Sequence, residues 1–405
     1  MKVYDVVIIG GGPAGSIAAI QLRNAGYSVK VLEKIKFPRF VIGESLLPRC
    51  NELLEEVGIL ADVEAEGFQL KGGVTFENEQ NDCKIIHFTE NLGQKHNSSF
   101  QVRREIFDNL LLDNAKKLGA SISMETEVIA YDESENIVRV VDKEGKEDSY
   151  QAKKVIDASG YGRVLPRLLN LESNSSLSSR RAVFCRVEND IRTQDGTDGY
   201  ITVYIVGDND AWIWNIPLSA TETSVGIVCS DEYFQAFNGE VDTFWNYVIE
   251  NNSHTKVRYA NANKINEVGM IGGYSSDVKR MFGKNFVLVG NATEFLDPIF
   301  SSGVTLALES GVKAANLTIE EFEGKEVDWQ REYQEYMMIG IDVFREYVNA
   351  WYDGRLQTIL FSDKLTVDKI ERKVVSVLSG YVWDETNMFV HSPKEALESI
   401  YNILK

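Results

Sequence analysis

The chain has 405 residues, 44% of them hydrophobic, enough for a large core spread over two or three domains. Forty-two basic against 61 acidic residues leave a net charge of −19, which argues against nucleic acid and anionic membrane surfaces as partners. No apolar run is long enough to span a bilayer as an integral segment. Cys50, Cys83, Cys185 and Cys229 are scattered without matching histidines, which points to reduced thiols in a cytoplasmic protein rather than a metal site.

In chain order, residues 5–9 form a short apolar strand that enters Gly10-Gly11-Gly12-Pro13-Ala14-Gly15, and residues 16–25 continue as a helix. Gly10 permits the tight turn, Gly12 lets a pyrophosphate approach the backbone, and Gly15 lets the helix pack on the strand. With Pro13 and Ala14 at the bend, the phosphates rest on a helix N-terminus, where free N–H groups and the dipole favour negative charge. The next strand, 28–32, ends in Glu33, placed to accept from a ribose hydroxyl.

Residues 48–58 and 104–118 have helical periodicity, and 68–76 and 84–88 have the pattern of strands. Residues 127–131, 137–141 and 148–152 form a meander separated by turn residues, and 154–157 returns as a further strand ending at Ala158-Ser159-Gly160. Alternation over 181–229 predicts several antiparallel strands of a second sheet. Residues 286–289 form one more buried strand before a helix over 303–322, and the tail from Trp329 is helical. Its aromatics Phe344, Tyr347, Trp351, Tyr352 and Phe361 have a spacing that favours core over pocket.

The fold class is therefore α/β (α+β). A Rossmann-like dinucleotide-binding domain, 1–67, 100–180 and 280–328, is interrupted by an antiparallel β-rich substrate domain, 68–99 and 181–279, and followed by a helical region, 329–405. A single nucleotide fingerprint completed late in the chain suits a flavin, and no second GxGxxG marks a nicotinamide domain.

Four further stretches carry a resemblance. They are Phe37-Pro38-Arg39-Phe40-Val41-Ile42-Gly43-Glu44-Ser45-Leu46-Leu47-Pro48, Phe68-Gln69-Leu70-Lys71-Gly72-Gly73-Val74-Thr75-Phe76, Trp212-Ile213-Trp214-Asn215-Ile216-Pro217, and Phe295-Leu296-Asp297-Pro298-Ile299-Phe300-Ser301-Ser302-Gly303. With the glycine fingerprint they resemble the flavin-dependent halogenases of the phenol and pyrrole branch, within the para-hydroxybenzoate-hydroxylase-like FAD-dependent oxidoreductases. The likeness covers residues 1 to about 325.

The resemblance implies that Arg39, Ile42, Gly43, Glu44 and Ser45 lie beside the flavin, that Arg104, Val128, Asp157 and Gly160 contact FAD, and that Gly290, Asn291, Pro298, Ser301 and Gly303 close its site. It places the halide, chloride or bromide, at Ser302 and Gly303, and makes Trp212 and Trp214 a shield that keeps substrate from the flavin. Reduced FAD (FADH2) and oxygen then convert halide to hypohalous acid, which Lys71 holds as a catalytic residue and delivers to an electron-rich, phenol-like aromatic. A separate flavin reductase supplies the FADH2, and the substrate is free or tethered to a carrier protein. Two positions depart from the pattern. Asn291 stands where the class has Asp, which lowers flavin affinity, and Phe300 replaces the Glu of tryptophan halogenases. An aromatic monooxygenase, a geranylgeranyl-reductase-like enzyme and a non-catalytic flavin-binding protein are the competing readings.

Overall fold

The computed structural model describes residues 2–207, 211–362 and 368–405. Its first sheet is built around the strand Lys2–Ile9, whose last four residues are fully buried, as an apolar run between two helical layers requires. Val29–Leu32 and Ser121–Ser123 extend the sheet on one side in parallel register. Glu147–Asp157 lies on the other side, paired Lys2 to Tyr150 through Ile9 to Asp157.

That strand is a single element of 11 residues, where the sequence predicts two. Lys153 and Lys154 interrupt the apolar alternation and read as a break. Each has its own partner: Lys153 pairs with Asp5 at 2.8 Å, while the buried Lys154 meets Glu321 at 2.6 Å and the Trp329 ring at 4.4 Å. Its first half is antiparallel to Ile137–Asp142, which pairs in turn with Thr126–Asp132. Its second half is parallel to Phe286–Leu288, nearly 130 residues later in sequence.

The second sheet runs Asn263–Lys264, Arg180–Glu188, Glu222–Ser230, Ala211–Pro217, Ile201–Val206, Gly73–Glu77 and Cys83–His87, with Gly269–Gly272 also on Arg180–Glu188. Positions 208–210 of the stretch expected to alternate lie outside the described residues. Residues 68–76, expected to be one strand, divide into Gln69–Lys71, which pairs with Ser99–Gln101, and Gly73–Glu77, which joins the sheet. The Gly72-Gly73 step divides them because the Tyr200 ring occupies the space of both side chains: an added Cβ would lie 2.7 Å from it at Gly72 and 2.5 Å at Gly73.

Ser302–Phe322 packs along Pro13–Asn24, and Gly311 permits the approach, since a Cβ there would lie 2.5 Å from the Ala14 carbonyl oxygen. The tail supplies Tyr336–Tyr352, Asp368–Leu378 and Pro393–Leu404. Phe344, Tyr347 and Trp351 are core residues, with Trp351 5.4 Å from Phe76 and 6.2 Å from Phe300 between ring centroids. Tyr352 and Phe361 are half-buried.

Candidate functional site

The glycine turn is fixed by packing as well as by conformation. Gly10 has φ +99°, and a Cβ there would lie 2.4 Å from the Ala158 carbonyl oxygen. At Gly15 a Cβ would lie 2.1 Å from the Gly10 oxygen, so a side chain would force helix and strand apart. Gly12 precedes the helix in extended geometry, and a Cβ there would lie 3.4 Å from a guanidinium nitrogen of Arg39. Glu33 accepts from the backbone N–H of Gly11 at 2.7 Å and of Ile35 at 2.8 Å, one bond on each carboxylate oxygen.

This turn opens on a cavity of ≈ 620 Å³ that runs between the two sheets. Gly10, Gly12, Pro13, Ala14, Glu33, Arg39 and Val128 line it. Ile42, Gly43, Glu44, Ser45, Arg104 and Gly160 line it too. Trp212 and Trp214, with Gly290, Asn291, Pro298, Ser301 and Gly303, form the rest of its wall. Residues as far apart in sequence as Ile9 and Ala307 thus meet at one place.

The loop over residues 42–47 is pinned along its length. Arg104 donates through Nη1 to the carbonyls of Ile42 and Gly43 at 3.2 and 3.1 Å, and binds Asp108 through Nε and Nη2 at 2.7 and 3.0 Å. Val102 N–H donates to the Glu44 carbonyl, and Leu46 N–H to that of Phe100. Arg186, from the second sheet, donates to the Glu44 carboxylate at 3.0 and 2.6 Å. Glu44 is fully buried, and burial pushes its carboxyl up from the ordinary value while Arg186 opposes the shift.

Trp212 and Trp214 share one face of Ala211–Pro217, with ring centroids 6.0 Å apart. Trp214 lies over Gly226 of the neighbouring strand, where a Cβ would come within 2.0 Å of the indole, and its N–H donates to Ser224 at 3.3 Å. Trp212 N–H donates to the Tyr352 hydroxyl at 2.9 Å, and that hydroxyl donates to Asp297 at 3.0 Å. Burial raises the Asp297 carboxyl to about 6.

Lys71 is 1% exposed. Its Nζ donates to the Leu46 carbonyl at 2.9 Å, one residue along from Ser45 on the cavity wall, and sits 5.3 Å from the Phe88 ring centroid. Cys50, bonded to Thr305 at 3.2 Å, is the neighbouring thiol. Burial lowers the Lys71 ammonium to about 7, so near neutral pH it divides between amine and ammonium.

An FAD binding domain model matches residues 3–331. The 1H-pyrrole-2-carbonyl-(peptidyl-carrier protein) chlorinase of Pseudomonas fluorescens is 30% identical, over 94% of this chain and 90% of its own length. This chain belongs to the flavin-dependent halogenase family. A flavoprotein/dehydrogenase crystal structure from Cytophaga hutchinsonii superposes on this halogenase-family protein with a TM-score of 0.95 at 39% identity, covering 100% of this chain and 99% of the other. A flavin-dependent brominase structure does so with a TM-score of 0.88 at 25% identity, each chain covered in full.

The site of this halogenase-family flavoprotein fits FAD on its own chemistry. The helix N-terminus and Arg39 supply donors for a pyrophosphate, and Glu33 stands at the end of the second strand for a ribose. Farther along, Glu44 Oε2 and Ser45 Oγ are buried on the wall with no hydrogen-bond partner in the protein, which a polar ligand edge would supply.

Four expected contacts do not line the cavity. Gly15 lies beneath the turn and acts through packing. Asp157 is fully buried, and its carboxylate accepts from the backbone N–H groups of Ser159 at 2.9 Å and Leu165 at 2.6 Å, so it shapes the turn that carries Gly160. Ser302 is buried as the first residue of its helix, leaving Ser301 and Gly303 on the wall. Lys71 stands behind the 42–47 loop. Ser301 is held in left-handed geometry (φ +56°) without capping the helix through its side chain, so capping does not account for it.

The sequence marks no role for Arg186, and it marks Tyr352 only as a tail aromatic and Asp297 only as part of the 295–303 stretch. The one available signal was Arg186 itself, a charge among Val183, Phe184, Cys185 and Val187 on a sheet strand.

Proposed function

We propose that this chain uses reduced FAD, oxygen and chloride or bromide to halogenate an electron-rich aromatic, with Lys71 as the catalytic residue. The observation that carries the reading is a lysine buried behind the flavin-facing loop, with its ammonium lowered to about 7. Bound reduced FAD supplies the two-electron reduction of oxygen that turns halide into hypohalous acid. In its amine form Lys71 attacks the halogen of that acid, forming an N–halogen bond and releasing water. The aromatic carbon then takes the halogen, its proton leaves, and the free amine returns. In its ammonium form Lys71 instead donates a hydrogen bond to the oxidant and polarises it.

Trp212 and Trp214 hold substrate away from the flavin, and Ser301 and Gly303, on the cavity wall, offer the halide a hydroxyl and a helix N-terminus. The single nucleotide fingerprint supports delivery of FADH2 by a separate reductase. Kinship with a chlorinase named for a pyrrolyl carrier-protein substrate supports a carrier-tethered aromatic of that class.

Lys71→Ala is expected to abolish bromination of a phenol or pyrrole supplied with photoreduced FAD and bromide. FAD titration should remain unchanged. Retained bromination would remove Lys71 from the mechanism, and oxygenated product without halide would favour the monooxygenase reading.

A further inference from the structure

The loop that carries Glu44 and Ser45 is held from both sheets, and the two holds differ in kind. Arg104, on the helix Arg104–Lys117, takes its carbonyls. Arg186, on Arg180–Glu188 of the second sheet and 142 residues from Glu44, takes its carboxylate with two nitrogens. The same guanidinium binds Glu105 of the helix at 2.6 and 2.9 Å, stands 3.6 Å from Glu222, and lies over the Phe40 ring at 4.9 Å. Phe40 stacks in turn on Phe184 of the same strand, with centroids 6.1 Å apart. One side chain therefore joins Phe40 and Glu44 to the helix behind them and to the opposite sheet.

Glu44 shows why an arginine is needed. It is fully buried, one oxygen belongs to Arg186, and the other has no partner in the protein. A buried carboxylate without a counter-charge is strongly disfavoured, and a planar fork can serve two carboxylates at once with several fixed donors.

We infer that Arg186 is a positioning residue for FAD: by neutralising Glu44 it seats the 42–47 loop against the cofactor and makes FAD affinity depend on the second sheet. The inference rests on the FAD site alone and is independent of what is halogenated or by which residue. It sets Arg186 apart from Arg181 on the same strand, which pairs with Asp231 at 2.5 Å and lies over Phe234, away from the cavity.

The test is FAD titration of the apoprotein by flavin fluorescence, with far-UV circular dichroism to establish folding. Arg186→Met is expected to raise the Kd for FAD at least tenfold and to change the fine structure of the bound flavin's visible absorption. Adding Glu44→Gln to Arg186→Met should recover part of that loss, because the uncompensated carboxylate is then gone. Arg186→Lys, which keeps the charge without the fork, should fall between parent and Arg186→Met and covers the case in which the methionine variant does not fold. Arg181→Met should leave the Kd within twofold. The inference is overturned if Arg186→Met, or Arg186→Lys in its place, stays within twofold of the parent. It is equally overturned if Glu44→Gln deepens the loss, or if Arg181→Met weakens FAD as much.

Discussion

The Trp212 indole and the Asp297 carboxylate are joined through one oxygen atom, the Tyr352 hydroxyl, which accepts from the first at 2.9 Å and donates to the second at 3.0 Å. The bridge ties a cavity-wall residue of the second sheet to the 295–303 segment and to the tail helix Tyr336–Tyr352. Trp212 and Asp297 are buried and Tyr352 half-buried, so neither end of the bridge can exchange the lost bond freely for water.

Tyr352→Phe removes the bridge and leaves the indole N–H and a carboxylate oxygen unpaired. Unfolding free energy should fall by about 1–3 kcal/mol, read from urea melts followed by tryptophan fluorescence. A loss below about 0.5 kcal/mol would mean that water replaces the hydroxyl at no cost.

The Lys71 ammonium, lowered by burial to about 7 from 10.5, makes stability depend on pH with a defined sign. Between these values the unfolded chain holds a proton that the folded chain has given up, so stability rises with pH across that window. Replacing Lys71 with Met abolishes this slope. The parent should gain about 2 kcal/mol relative to Lys71→Met between pH 7.5 and 9, measured by denaturant unfolding at the two pH values.

Gly226 makes room for Trp214, and even an alanine there places a methyl inside the indole's van der Waals radius. Gly226→Ala should cost about 1–3 kcal/mol as the indole shifts, with a change in tryptophan emission. A lowered midpoint with an unchanged emission spectrum would show that the strands part instead of the ring moving, and an unchanged midpoint would refute the prediction.

Much of the cofactor half was legible because its determinants are local. The turn at Gly10, the close contact at Gly15 and the acid Glu33 lie within one β-α-β unit, so their order in sequence is their order in space. The strand Glu147–Asp157 was misread because two lysines satisfy their charge on Asp5, Glu321 and Trp329, far away in sequence. Residues 68–76 were misread because the ring that splits them belongs to Tyr200. Asp157 was placed at the right turn, but its bonds to backbone N–H groups were not legible, since a carboxylate that caps them has the same sequence pattern as one that meets a ligand. The partnership of Arg186 with Glu44, and of Tyr352 with Trp212, spans about 140 residues in each case and leaves no periodic trace.

Ser302–Phe322 lies against Pro13–Asn24 through the contact of Gly311 with Ala14, and its first turn supplies the last wall of the cavity. On the ribosome, the glycine turn is therefore made first, and nearly three hundred further residues must emerge before the pocket it begins can close. A chain that stops short of residue 302 therefore carries the whole glycine turn and still lacks one wall of the cavity.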